Sequence, residues 1–250
     1  LSPAGSPCYA QAAGLGLPVE ALGISAILRH SRSVDLVHAH DARTHTLAAI
    51  VSRAPLVVSR RVAFPIGDNF ASRLKYEQPA RYLAVSGFVR DLLARAGVPP
   101  EKISLVPDGV PLLDPAVPGD ELVVLDKQTG LAPAAARSVA RLPGDLNGAA
   151  IFLYLTHSEG LGSGVLVAMS AGVPVIASDT GGLPEIVRHE HTGILTANHS
   201  GAIAGAIRRL RDNPAFARSL AQSARRMVEQ QFSVDRMVDL TIEAYYRVLE

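Results

Sequence analysis

The residues of this sequence best suited to chemistry are Glu159 and the glycines that follow it, in the run S-E-G-L-G-S-G. They fall inside Ile151 to Val187, IFLYLTHSEGLGSGVLVAMSAGVPVIASDTGGLPEIV. Ile151 to Thr156 is a short apolar run rich in branched and aromatic residues, which predicts a buried parallel strand. Gly160, Gly162 and Gly164 free the backbone for a sharp turn. A helix then carries Val165, Leu166, Ala168, Met169 and Ala171, with Gly172 as its stop signal. Pro174 to Ser178 is the next strand, and Gly181-Gly182 opens a second helix at Leu183-Pro184-Glu185. Helix N-termini beside glycine turns, at the carboxyl ends of parallel strands, make an anion pocket suited to a phosphate or diphosphate. The residues expected around it are Gly160, Gly162, Ser163, Gly164 and Val165 from the first turn, and Gly181, Gly182 and Glu185 from the second. Glu159, at the mouth, is placed to accept hydrogen bonds from sugar hydroxyls; the alternative is a carboxylate serving the backbone amides of a helix start. Glu185 is favourable for the helix dipole alone, which leaves its role open.

His38 and His40 end another strand, and the period of two puts both on one side of it. They fit a hydrogen-bonded pair at a strand end, and a metal reading also exists, although no third ligand stands at a convincing spacing. Arg60 and Arg61 follow the next strand and suit a phosphate or an acidic acceptor; a solvated surface suits them equally. Arg208, Arg209, Arg211, Arg225 and Arg226 lie on late helices and read as a solvated face.

The elements that must position these groups alternate. Strands are predicted at 17–22, 34–39, 55–59, 81–86, 103–106, 121–126, 151–156, 174–178 and, at a sheet edge, 193–196. Helices are predicted at 23–32, 41–52, about 71–77, 88–96, 132–141, 200–212 and 214–230, with one before Gly14 or Gly16 and a last one capped by Ser233 and running to Leu249. This alternation predicts α/β architecture with parallel, doubly wound sheets. The three prolines of PLLDPAVPGD, residues 111–120, mark a linker. The expected division is an amino-terminal domain at 1–110, a carboxyl domain at 111–234 and a terminal helix at 235–250.

Set side by side with known patterns, SEGLGSGVLVAMSAGVPVIASDTGGLPEIV resembles the nucleotide-sugar motif of the GT-B glycosyltransferases, in particular the retaining family 4. Glu159, Gly160, Gly162, Ala168, Met169, Gly172, Pro174 to Ser178, Gly181, Gly182, Pro184 and Glu185 carry the match. VDLVHAHDARTHTLAAIVSRAPLVVSRR is similar to the family's amino-domain segment with its H-x-H, RYLAVSGFVRDLLARAGVPPEKISLVPDGV to its A-V-S helix, and FSVDRMVDLTIEAYYRVLE to the helix that crosses back to the amino domain. The resemblance implies two Rossmann-like domains facing a cleft, and transfer of a sugar from a nucleoside diphosphate to an acceptor hydroxyl with retention. It implies a catalytic role for His40 beside the transferred sugar and for Glu159 on the donor. No cofactor or metal is implied; the nucleotide sugar is a substrate, and a glycan or lipid-linked acceptor is compatible.

Two departures accompany the match. The second acidic position of the motif is Val167, which offers no acceptor to a ribose hydroxyl pair. A stretch before the central motif, with the family's Arg and Lys for the diphosphate, is missing, as is the start of the amino domain; Lys127 is the one lysine between Gly109 and the motif. These departures support a second reading, a catalytically inactive remnant that acts as a binding protein. Both halves are thus expected to be shortened.

Composition sets outer bounds. The 250 residues are 48% hydrophobic and 19% charged, as in a globular protein with a substantial core. A net charge of +1 argues against nucleic acid as a partner. The single cysteine, Cys8, fits a reducing compartment. No apolar run reaches a membrane span and no signal peptide is evident, so a cytoplasmic protein, at most peripheral at the inner face of a membrane, is expected.

Overall fold

The computed structural model describes residues 1–67, 69–139 and 141–250. Two parallel sheets carry the fold. In the amino half β1 (Val37–Ala39), β2 (Leu56–Arg60), β3 (Arg81–Ala84) and β4 (Ile103–Leu105) lie in sequence order. Helices α1 (Pro7–Gly14) and α2 (Ile24–His30) precede β1, and α3 (Ala42–Val51), α4 (Phe70–Glu77) and α5 (Gly87–Arg95) connect the strands. Each connecting helix starts on a side-chain cap that its sequence supplies: Asp41 for α3, Asn69 for α4 and Ser86 for α5.

In the carboxyl half β5 (Glu121–Lys127), β6 (Arg137–Ser138), β7 (Ala149–Thr156), β8 (Val175–Ser178) and β9 (Ile194–Thr196) form a sheet in the order β6-β5-β7-β8-β9. Helices α6 (Ser163–Ser170) and α7 (Leu183–Ile186) follow β7 and β8, and α8 (Ser200–Asp212), α9 (Pro214–Gln231) and α10 (Val234–Leu249) close the chain. The strands are apolar on both faces because both are covered. Val123, Phe152, Tyr154, Val175 and Ala177 join the α6–α9 side, while Leu122, Val124, Ile151, Leu153, Leu155 and Ile176 pack on Ile203, Ile207 and Leu210 of α8. The period of two divides one continuous apolar run between two cores.

Helix α10 leaves the carboxyl half and lies on the amino sheet, where Ala244, Met237 and Leu240 meet Val57, Leu83 and Val106. The linker is fixed at its entry, where Val110 pairs with Ser233 and its amide donates to the Phe232 carbonyl at 2.9 Å. Farther on, Arg225 of α9 donates to the carbonyls of Leu113 and Ser170. No described helix is long and apolar enough to cross a membrane.

Two expected elements are absent. The predicted strand at 17–22 is only an isolated bridge, Ser2 to Ala21. The predicted helix at 132–141 is instead the short edge strand β6; position 140 lies outside the described residues. Pro133 can begin a helix but not continue one, and Arg137 is held extended by Glu121, 2.7 Å away, and by the Asp145 carbonyl at 2.8 Å.

Candidate functional site

Strand order locates the site. From β5 the chain passes to β6 on one side and returns to β7 on the other, so the crevice at the carboxyl ends of β5 and β7 is a topological switch point. Lys127 is the last residue of β5 and Glu159 lies just past β7. The Lys127 Nζ donates to Glu159 Oε2 at 2.7 Å. The Tyr154 hydroxyl donates to the same oxygen, and the Gly160 amide donates to Oε1 at 2.9 Å. Burial alone would raise the Glu159 pKa, but the bonds from Lys127 and Tyr154 outweigh it and hold the carboxyl below its ordinary range. Burial and this same carboxylate push the Tyr154 hydroxyl above the usual phenol range. The result is an ionised carboxylate, 13% exposed, facing an ammonium that is 48% exposed.

The glycine turns are folded onto one another. Gly162 caps α6 at φ +102°, and a Cβ there would stand 2.6 Å from Leu183 Cδ2. The Gly182 amide donates to the Glu159 carbonyl at 3.0 Å. A Cβ on Gly181 or Gly182 would collide with the carbonyl oxygens of Glu159 and Gly160. Gly160, Gly181 and Gly182 are therefore packed backbone to backbone, with Gly162 set against Leu183 and followed by Ser163 and Gly164 at the start of α6. Helix geometry leaves the first amides of α6 without intrahelical acceptors.

Two residues expected in this cluster serve elsewhere. Val165 is fully buried and its amide donates to the Gly162 carbonyl at 2.9 Å, so it belongs to the core. Glu185 reaches the other half: its carboxylate accepts the amides of Gly87 at 2.8 Å and Phe88 at 2.7 Å. These are the first amides of α5, left free by the helix and favourable for an anion. With both oxygens engaged there, Glu185 joins the two halves instead of facing a nucleotide. The Ser86 hydroxyl makes a parallel contact, donating to the Gly160 carbonyl at 2.6 Å.

From the amino half, Arg61 Nε lies 3.1 Å from Asp108 Oδ1, and the Ser163 hydroxyl donates to Asp108 Oδ2 at 2.9 Å. Arg61 thus reaches the N-terminus of α6 through one carboxylate. His38 and His40 do share a side, their ring centroids 3.9 Å apart. His38 is fixed by Tyr245 of α10, with Nδ1 to the hydroxyl at 2.6 Å, and by Ser59, with Nε2 to Oγ at 2.9 Å. Burial, then His40 and Arg61, push its pKa down to about 3, so the ring is neutral. Burial and Arg61 also lower His40, against the opposing pull of Asp41. Among the described residues no group of three or more His, Cys, Asp or Glu could hold a metal ion. Tyr154, Asp108, Ser86 and Tyr245 carry no signal of a site role in the sequence, and Lys127 stands out there only as the one lysine between Gly109 and the central motif.

Models of two glycosyltransferase families match, in order, the two halves: Glycosyltransferase Family 4 over residues 6–112 and Glycosyl transferases group 1 over residues 138–227. The fold is that of the GT-B glycosyltransferases. Among curated GT-B relatives, the N-acetyl-alpha-D-glucosaminyl L-malate synthase of Bacillus anthracis is 33% identical over 132 residues, 52% of this chain and 32% of that protein. The D-inositol 3-phosphate glycosyltransferase of Saccharomonospora viridis is 28% identical over 242 residues, 96% of this chain and 46% of that protein. The chain therefore spans less than half the length of these relatives. Among solved structures, Alr3699/HepE of Anabaena in complex with UDP superposes with a TM-score of 0.81 at 16% identity, covering 95% of this chain and 88% of that one. A glycosyltransferase of Rickettsia africae gives 0.78 at 15% identity, covering 98% and 89%. The GT-B arrangement of two Rossmann-like sheets is thus present. In it Val167 is half-buried against the core, an apolar residue on α6 with no acceptor to offer.

Proposed function

We propose that the chain transfers a sugar, with retention, from a nucleoside diphosphate sugar to an acceptor hydroxyl. The observation that carries this reading is the pair Lys127–Glu159 set against the glycine turns at the switch point, which supplies a cation, an anion and free backbone amides in one crevice. In this reading the diphosphate rests on the amides that open α6 and on Lys127, which stabilise the charge that develops as the sugar leaves. Glu159, released by Lys127 to the phosphates, accepts from the donor sugar's hydroxyls. His40, neutral and exposed at the end of β1, faces the transferred ring. The acceptor's proton passes to the departing diphosphate oxygen on the face that bond formation uses, which gives retention without a protein nucleophile. Relatives named for UDP complexes make UDP the first nucleotide to try.

The test is release of nucleoside diphosphate from UDP-glucose, ADP-glucose and GDP-mannose, with water or added alcohols as acceptor. One donor should be turned over, and Glu159→Gln should lower that rate by about a hundredfold, the scale of losing a charge-assisted contact in the transition state. Equal release from wild type and Glu159→Gln would contradict the reading, and no release from any donor would favour the inactive remnant.

A further inference from the structure

A cavity of 570 Å³ lies between the turn that follows α7 and the last turns of α9, and none of the residues described at the crevice or the cleft lines it. The turn contributes Arg188 and His191, and α9 contributes Ser223, Arg226, Gln230 and Gln231. No carboxylate lines it among the described residues. The turn is pinned in place. The buried Thr192 hydroxyl donates to the Ile186 carbonyl at 3.0 Å and accepts the Arg188 amide at 2.8 Å, and the His191 amide donates to the Arg188 carbonyl at 2.9 Å. Glu190 closes the turn in the left-handed region, at φ +63°, and its carboxylate goes to Arg209 of α8. On α9, Glu229 is taken by Arg225 at 3.0 Å, and Glu185 caps α5. The carboxylates close in sequence to either wall are thus engaged elsewhere. Among the described residues the Arg188 side chain makes no hydrogen bond or ion pair, and Arg226 donates only to Ser223 Oγ, at 3.3 Å. The dipole of α9 favours a cation near its C-terminus, which accounts for Arg226 but not for Arg188 on the turn. Like charges on two walls of one cavity repel, and an anion between them removes that cost.

We propose that this cavity binds a small soluble phosphate monoester, at a site separate from the crevice and independent of the transferase reading. The guanidinium forks of Arg188 and Arg226 match phosphate oxygens two by two. The hydroxyl of Ser223 and the amides of Gln230 and Gln231 suit a polar group attached to the phosphate, and the volume, within the ~300–1,000 Å³ of small-molecule sites, has room for one. A lipid headgroup carries the same phosphate. Among the described residues, however, no exposed large apolar side chain lies between Val117 and Val234, so this face has nothing to insert into a bilayer.

The experiment is NMR titration of ribose 5-phosphate, inorganic phosphate and ribose into wild type, Arg188→Gln and Arg226→Gln, followed by backbone amide shifts. Ribose 5-phosphate should move the amides of His191, Thr192 and Gln230 and bind more tightly than inorganic phosphate, and ribose should move none of them. Each variant should bind the ester about tenfold more weakly, the scale of one lost charge-assisted contact. Both should keep the wild-type urea midpoint, because both side chains are exposed. No shifts in wild type, shifts confined to residues 159–165 of the crevice, or shifts at the turn that neither variant weakens would overturn the proposal. Arginine-dependent sedimentation with phosphatidic acid vesicles, with no binding of the soluble ester, would overturn it as well.

Discussion

Glu159 meets three donors from its own chain, and they decide its charge before any substrate arrives. Its place beside the glycine run was legible from residue types alone. Its partner Lys127 was not, because pairing across a parallel sheet joins residues far apart in sequence, and only the register of β5 on β7, with Lys127 opposite Thr156, brings them together. His38 was legible as a side-sharing partner of His40, but its neutrality was not, since that depends on burial under a helix more than two hundred residues later. This neutrality has a consequence for stability. In the unfolded chain histidine takes its proton near pH 6.5, whereas His38 resists until about 3 and the buried His45 until about 4. Between these values the unfolded chain binds more protons, so stability is complete above pH 6.5 and falls as the pH drops below it, by up to about 1.4 kcal/mol per pH unit for each histidine. Urea denaturation at pH 7.5 and pH 5 should show the fall, with a smaller difference in His45→Gln. A midpoint independent of pH over this range would mean that both rings are solvated.

At the scale of elements, α5 and α7 hold the cleft. Single-turn α7 presents Glu185 to the first two amides of α5, so a helix of one half is capped by the other. Glu185→Ala leaves those amides without an acceptor, with an expected cost of about 1–2 kcal/mol in the urea midpoint, the range for loss of a helix cap. Its affinity for nucleoside diphosphate should be nearly that of wild type. A large loss of nucleotide affinity with unchanged stability would put Glu185 back in the donor site. Glu185 reads as a donor-site residue because it follows the second glycine turn of the motif, while nothing local shows that its side chain turns outward to cap a second helix. The strands with long apolar runs were legible for the reason they are stable, burial on both faces. The segment 132–141 reads as a helix because Ala132, Ala134, Ala135 and Ala136 favour one, and the tertiary ties of Arg137 to Glu121 and the Asp145 carbonyl override that preference.

At the scale of the whole molecule, two sheets and one returning helix bring two sets of strand ends face to face. The carboxyl half offers backbone amides and Lys127, the amino half offers neutral imidazoles and Arg61, and Asp108 spans the gap between them. In this arrangement a lysine at the end of β5 supplies charge at the switch point. The central claim is that this crevice holds a nucleoside diphosphate. Isothermal titration of UDP, GDP and ADP into wild type and Lys127→Met tests it most directly. One nucleotide should bind the wild type, and about tenfold more weakly bind Lys127→Met, the loss expected for one half-exposed ionic contact to phosphate. No binding of any of the three, or binding indifferent to Lys127→Met, would contradict the account.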